Sequence, residues 1–134
     1  MKYLLDTNVC VRYLNGLEAV RRRLRAVDLA EVVVCSVVKA ELFYGAMRSD
    51  DPDLAWAKAQ RFLRVFESLP FDDIAGLTAG RIRAQLASNG TPIGYNDLLI
   101  AAIAVANDLT LVTHNTSEFN SVAGLRLEDW EAVT

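Results

Sequence analysis

Histidine is almost missing from this chain: His114 is the only one in 134 residues, and neither of the two cysteines stands in a CxxC or Cys/His spacing. A zinc cluster built from thiolates or several histidines is therefore not expected. Cys10 and Cys35 lie among valines and read as reduced core thiols. A basic coat is missing too, since 14 Lys and Arg face 17 Asp and Glu, for a net charge of −3. Affinity for nucleic acid through bulk counterion release is thereby disfavoured, although local basic patches remain allowed. No apolar run reaches the ~20 residues of a membrane span, and the longest, Leu98 to Ala106, is about half that. The start, MKYLLDTNVCVRYL, is interrupted by Asp6 and Asn8 and fails as a signal peptide. A cytoplasmic protein with no membrane partner is the expectation. Repeats, linkers and low-complexity stretches are absent, so residues 1–134 are expected to form a single domain.

What the chain has in quantity is apolar residues, at 52%, with a mean hydropathy of +0.19. That is oily for a domain of this size, and a homodimer face is expected from it. The apolar residues fall in alternating patterns. KYLL reads as a strand ended by DTN, which leads a helix VCVRYLNG. EVVVC is β-branched and reads as a strand, with Ser36 as cap of the helix VVKAELFYGAM. From Asp51, a helix carries Leu54, Ala57, Phe62, Val65 and Phe66 on one stripe, PFDD is a weak strand, and the next helix stops at Asn89-Gly90. TPIGYN leads into the oily helix, LTLVT is a strand, and LRLEDW is a last short strand or tail. Strand and helix in alternation predict an α/β fold, and a helix as apolar as residues 98–106 fits a mainly parallel sheet covered on both faces.

Open α/β sheets bind ligands outside the carboxyl ends of their strands. Asp6 leaves the first strand there, and Thr113-His114-Asn115 leaves LTLV at the equivalent place. Taken singly, Asp6 reads as a helix cap or a ligand, Asp97 as a first-turn acid or a ligand, and Glu41, among Val37, Val38, Leu42 and Phe43, as solvent-edge or paired. Together in one pocket they would repel unless a divalent cation neutralised them. An oxygen-only donor set suits Mg²⁺ or Mn²⁺.

Four segments in order carry a resemblance: LLDTN, AELFYGA around Glu41, IGYNDLLIAA at 93–102, and LVTHNTSEF followed by GLRLEDW. From Lys2 to Trp130 the chain resembles the PIN-domain endoribonucleases of the VapC toxin type. The resemblance implies a three-layer α/β/α sandwich, metal ligands at Asp6, Glu41 and Asp97, and Mg²⁺- or Mn²⁺-assisted hydrolysis of RNA that leaves a 5′-phosphate and a 3′-hydroxyl. Independently, cleavage through the RNA 2′-hydroxyl usually wants a pair of histidines, and only His114 is present. Many PIN domains carry a fourth acid where this chain has Asn115. That residue reads as a ligand of a water on the ion or a cap of the next turn, and Glu118 as the fourth acid, an outer acid or a solvated residue. Thr7 and Asn8 are placed to orient water or phosphate.

An RNA strand reaching an acidic site needs basic flanks, and Arg21, Arg22, Arg23 and Arg25 form the densest cluster, with Arg81 and Arg83 another, each reading as such a flank or as a solvated helix face. The resemblance points to tRNA cut in a loop and to a small antitoxin, of the VapB type, whose peptide covers the acidic pocket. Phe43, Tyr44, Trp56, Phe62 and Phe66 are candidates for such partner faces, or are ordinary core. A haloacid-type phosphatase would need D-x-D where DTN stands. A degenerate PIN domain that only binds RNA or protein is the alternative, kept open by Asn115.

Overall fold

The computed structural model describes residues 1–132. β1 (Tyr3–Leu5), β2 (Val32–Cys35), β3 (Glu67–Leu69), β4 (Thr110–Val112) and β5 (Arg126–Glu128) form one sheet in the order β3-β2-β1-β4-β5, every neighbouring pair parallel. Parallel neighbours cannot be joined by a tight turn, and helices supply the crossovers. Between β1 and β2 run α1 (Thr7–Leu14), α2 (Glu18–Ala26) and a 3-10 turn at Leu29–Glu31. α3 (Ser36–Met47) and α4 (Pro52–Leu63) connect β2 to β3, α5 (Asp73–Asn89) and α6 (Tyr95–Ala106) connect β3 to β4, and the short α7 (Thr116–Phe119) precedes β5. The result is the expected α/β/α sandwich, with the sheet wholly parallel among the described residues.

β1, β2 and β4 are buried along their whole length, as a sheet covered on both faces requires. α6 is buried almost all round: Ile100 through Ala104 lack any solvent contact, and its alanines let α5 pack closely against it. The two cysteines are free and buried, as expected of core thiols. No helix among the described residues is long and apolar enough to cross a membrane.

Three local expectations need correcting. The third strand is Glu67–Leu69, not PFDD, and α4 ends at Leu63, so Val65 and Phe66 leave the helical stripe. Pairing of Glu67, Ser68 and Leu69 with Val33, Val34 and Cys35 outweighs the helical period, and Pro70, which lacks an N–H, closes the strand. Ser36 does not cap α3. It is the first residue of that helix, and its Oγ instead accepts from the Phe71 N–H at 3.2 Å.

The sheet order reverses at β1, whose chain proceeds to β2 on one side while β4 lies on the other. The crevice beyond the carboxyl ends of β1 and β4 is thus the switch point of the sheet, where open α/β folds place their ligands.

Candidate active site

Asp6 stands at that switch point. It follows β1 in an extended conformation and starts α1, so it is both a helix cap and a pocket residue. One carboxylate oxygen accepts from the Thr7 N–H at 2.8 Å, and the other from the Thr113 hydroxyl at the end of β4, also at 2.8 Å. The side chain is 4% exposed. Burial holds its pKa above the ordinary value, against the downward pull of those two hydrogen bonds, and the charges of Glu41 and Glu118 push it further up.

The other acids arrive from three separate segments. Glu41, on α3, accepts from the Thr7 hydroxyl with one oxygen and from Asn96 Nδ2 at 3.3 Å with the other. Asp97 lies in the first turn of α6. Burial, followed by the charges of Glu118, Asp6 and Glu41, pushes its pKa up to about 7. Glu118, on α7, accepts from the Gly94 N–H at 3.3 Å and from the Asn115 side-chain amide. Asp6, Glu41, Asp97 and Glu118 therefore share one electrostatic pocket, although 112 positions separate the first from the last in sequence.

The carboxylates stand apart from one another. Among the described residues, no three of them bring one oxygen each within 4.8 Å of one another. A loose set of hard oxygen donors, with one acid pushed toward its neutral form by burial and by the others, fits a small divalent cation that keeps part of its water shell. A closed cage of protein ligands is a different arrangement.

Asn115 sits at the cap position of α7 without capping it. Its backbone N–H is held by the Thr113 hydroxyl at 3.0 Å and its amide donates to Glu118. Thr7 holds two acids, Asp6 through its N–H and Glu41 through its hydroxyl, and Asn8 is exposed. Thr113, Asn96 and Gly94 were not singled out as holders of the acids. The signal for Thr113 was its place at a strand exit, while Asn96 and Gly94 flank Asp97 in IGYND and are recognisable only once α3 and α7 are placed beside them.

The PIN domain family matches residues 3–125. Over 97% of its length and 98% of the relative's, the chain is 38% identical to a tRNA(fMet)-specific endonuclease VapC of Shigella flexneri. It belongs to the VapC family of PIN-domain toxin ribonucleases. Among solved structures, a DNA-bound VapBC of Salmonella typhimurium superposes with a TM-score of 0.92 at 37% identity, covering 97% of this chain and 98% of that one. VapBC2 of Rickettsia felis, bound to a DNA fragment from its promoter, gives 0.90 at 36%, covering 97% and 99%. The VapC-family assignment makes the chain an endoribonuclease of a toxin-antitoxin system, and the reading as a degenerate binding module falls away.

Around the pocket of this VapC-family chain, the arginines of α2 mostly serve the fold. Arg21 lies over the Tyr13 ring and donates to the Tyr13 carbonyl at 3.1 Å, Arg23 pairs with Glu128, and Arg25 pairs with Glu18 at 2.7 Å. Arg83 donates to the Tyr95 hydroxyl at 2.7 Å, two residues from Asp97, while Arg81 is exposed. Of the candidate partner residues, Phe62 and Phe66 belong to the core, Trp56 is half-buried against Phe43, and Phe43 and Tyr44 are exposed.

Proposed function

We propose that this toxin ribonuclease hydrolyses tRNA within a loop, with Asp6, Glu41 and Asp97 holding Mg²⁺ or Mn²⁺ and Glu118 as the fourth acid of the site. The convergence of four carboxylates on the β1/β4 switch point, where burial and then the charges of its neighbours push Asp97 up to about 7, carries this reading. A divalent cation bound there supplies charge neutralisation at the phosphate and the departing oxygen. The chain's own groups fix the geometry in advance. Thr113 and the Thr7 N–H orient Asp6, Thr7 and Asn96 orient Glu41, and Gly94 and Asn115 orient Glu118. The substrate follows from the name of the Shigella flexneri relative, and a loop offers the unstacked bases that side chains reach.

The partner is a VapB-like antitoxin, since the similar solved structures are VapBC complexes. A groove of about 380 Å³ supports this, because it runs along Val11, Leu42, Ala55 and Ala59 and opens at Thr7 and Glu41, beside the acids. Ile74 and Leu77, exposed at 65% and 78% on α5, favour pairing with a second copy.

Purified chain incubated with total cellular RNA in Mg²⁺, Mn²⁺ or EDTA tests the reading. Discrete tRNA cuts bearing 5′-phosphates, absent in EDTA and with Asp97→Asn, are expected. Cleavage that ignores EDTA would overturn the metal assignment, and cuts confined to other RNAs would overturn the substrate.

A further inference from the structure

A second group of ligating side chains lies beside the acidic pocket on the same edge of the sheet. Val112 and Glu128 are paired in register, so the exits of β4 and β5 run side by side, His114 following the one and Asp129 to Glu131 the other. His114 Nδ1 lies 3.0 and 3.3 Å from the two Asp129 oxygens and 3.8 Å from Glu131 Oε2. One ligand atom from each of the three residues falls within 4.8 Å of the others.

The trio is incompletely satisfied as it stands. Asp129 Oδ1 accepts from the Glu131 N–H at 2.8 Å, which sets the turn and aims its second oxygen at the imidazole. Glu131 Oε1 faces Arg12 Nε at 3.6 Å. Glu131 Oε2 is shut away from water and has no hydrogen-bond partner. One Nδ1–H serves one acceptor well, and at 3.0 Å that acceptor is Asp129. A carboxyl oxygen buried without a partner is costly, and a cation shared by the three atoms removes that cost.

We propose that His114, Asp129 and Glu131 form a second metal site, separate from the four catalytic acids, for Zn²⁺ or a similar borderline transition metal. One imidazole nitrogen with two carboxylate oxygens is the donor set such ions take, and it is poorly suited to Mg²⁺. Ligand atoms of a tetrahedral zinc site stand roughly 3.3 Å apart, from bond lengths near 2.0–2.1 Å. The separations of 3.0 and 3.8 Å bracket that value. Half-exposed His114 gives the ion a way in and leaves the fourth position to water, while Arg12 offsets part of the carboxylate charge. Occupancy ties the segment after β5 to the β4 exit, whose Thr113 and Asn115 hold Asp6 and Glu118.

His114 is the only histidine, so the imidazole signals of the untagged chain report this site without ambiguity. The experiment uses an Asp97→Asn background, in which the catalytic pocket is impaired as a competing site, and adds Zn²⁺ followed by long-range ¹H–¹⁵N NMR and thermal melts. One molar equivalent is expected to move the Nδ1 resonance to a metal-bound position and to raise the Tm. Adding either His114→Gln or Glu131→Gln is expected to remove the rise. An imidazole that stays put under Zn²⁺, or stoichiometric binding that persists in His114→Gln, would overturn the proposal and leave an ordinary ion pair.

Discussion

Replacing Asp97 by asparagine removes one negative charge from a pocket that holds three others, and in the metal-free protein this should stabilise the fold. The carboxyl has an ordinary value of 3.8 and is pushed up to about 7 by burial and by Glu118, Asp6 and Glu41. At about 1.4 kcal/mol per tenfold, that displacement corresponds to at most about 4 kcal/mol. Asp97 is half-exposed, and solvent screening brings the figure down to about 1–2 kcal/mol. Because the folded-state pKa is raised, the stabilising neutral carboxyl is fully present below about pH 4 and is lost as pH rises through about 7. At pH 8 in EDTA the variant should therefore melt about 3–10 °C above the wild type, at roughly 3–5 °C per kcal/mol for a chain of this length. The gap should shrink as the pH falls toward 4, and Mg²⁺ should reverse it by stabilising only the wild type. Calorimetric melts across that pH range are the assay. A variant that melts at or below the wild type at pH 8 in EDTA, or a gap unchanged at low pH, would refute the like-charge account of the pocket.

Two further outcomes follow from the same geometry. Thr113→Val deprives buried Asp6 of a hydroxyl donor and should cost about 1–3 kcal/mol by chemical denaturation, with RNA cleavage reduced in parallel. Unchanged stability would mean that the hydrogen bond does not hold Asp6. Glu118→Gln keeps an acceptor for the Gly94 N–H but removes the charge that most affects Asp97 after burial, so the Asp97 carboxyl should titrate closer to 3.8 when followed by ¹³C NMR. A titration midpoint still near 7 would assign the displacement to burial alone.

The central strands were legible because their residues are buried on both faces and β-branched or leucine-rich, which no helical period imitates at that length. β3 was not, because Glu67-Ser68-Leu69 carries little strand character of its own and exists through its pairing with β2. Asp6 was readable as an acid at a strand exit, Asp97 as an acid opening an oily helix, and Glu41 as an acid among apolar neighbours. Glu118 lies on a helix of four residues whose pattern is too short to orient it, and only the fold shows its carboxylate reaching back to Gly94 at the start of α6. The arginines of α2 were the opposite case. Their density suggested an RNA-facing surface, whereas their partners Tyr13, Glu128 and Glu18 lie within the protein itself.

The clasp between Asp6 and Thr113 joins two residues 107 positions apart in the chain. β1 cannot take its place in the finished sheet until β4 has been synthesised, and Asp97 and Glu118 emerge only in the last third of the chain. A partial chain that stops short of β4 therefore lacks the partners that hold Asp6 and bring Glu118 to the pocket. The acidic pocket is thus assembled only after β4 and α7 have left the ribosome, and whatever recognises it has no target before then.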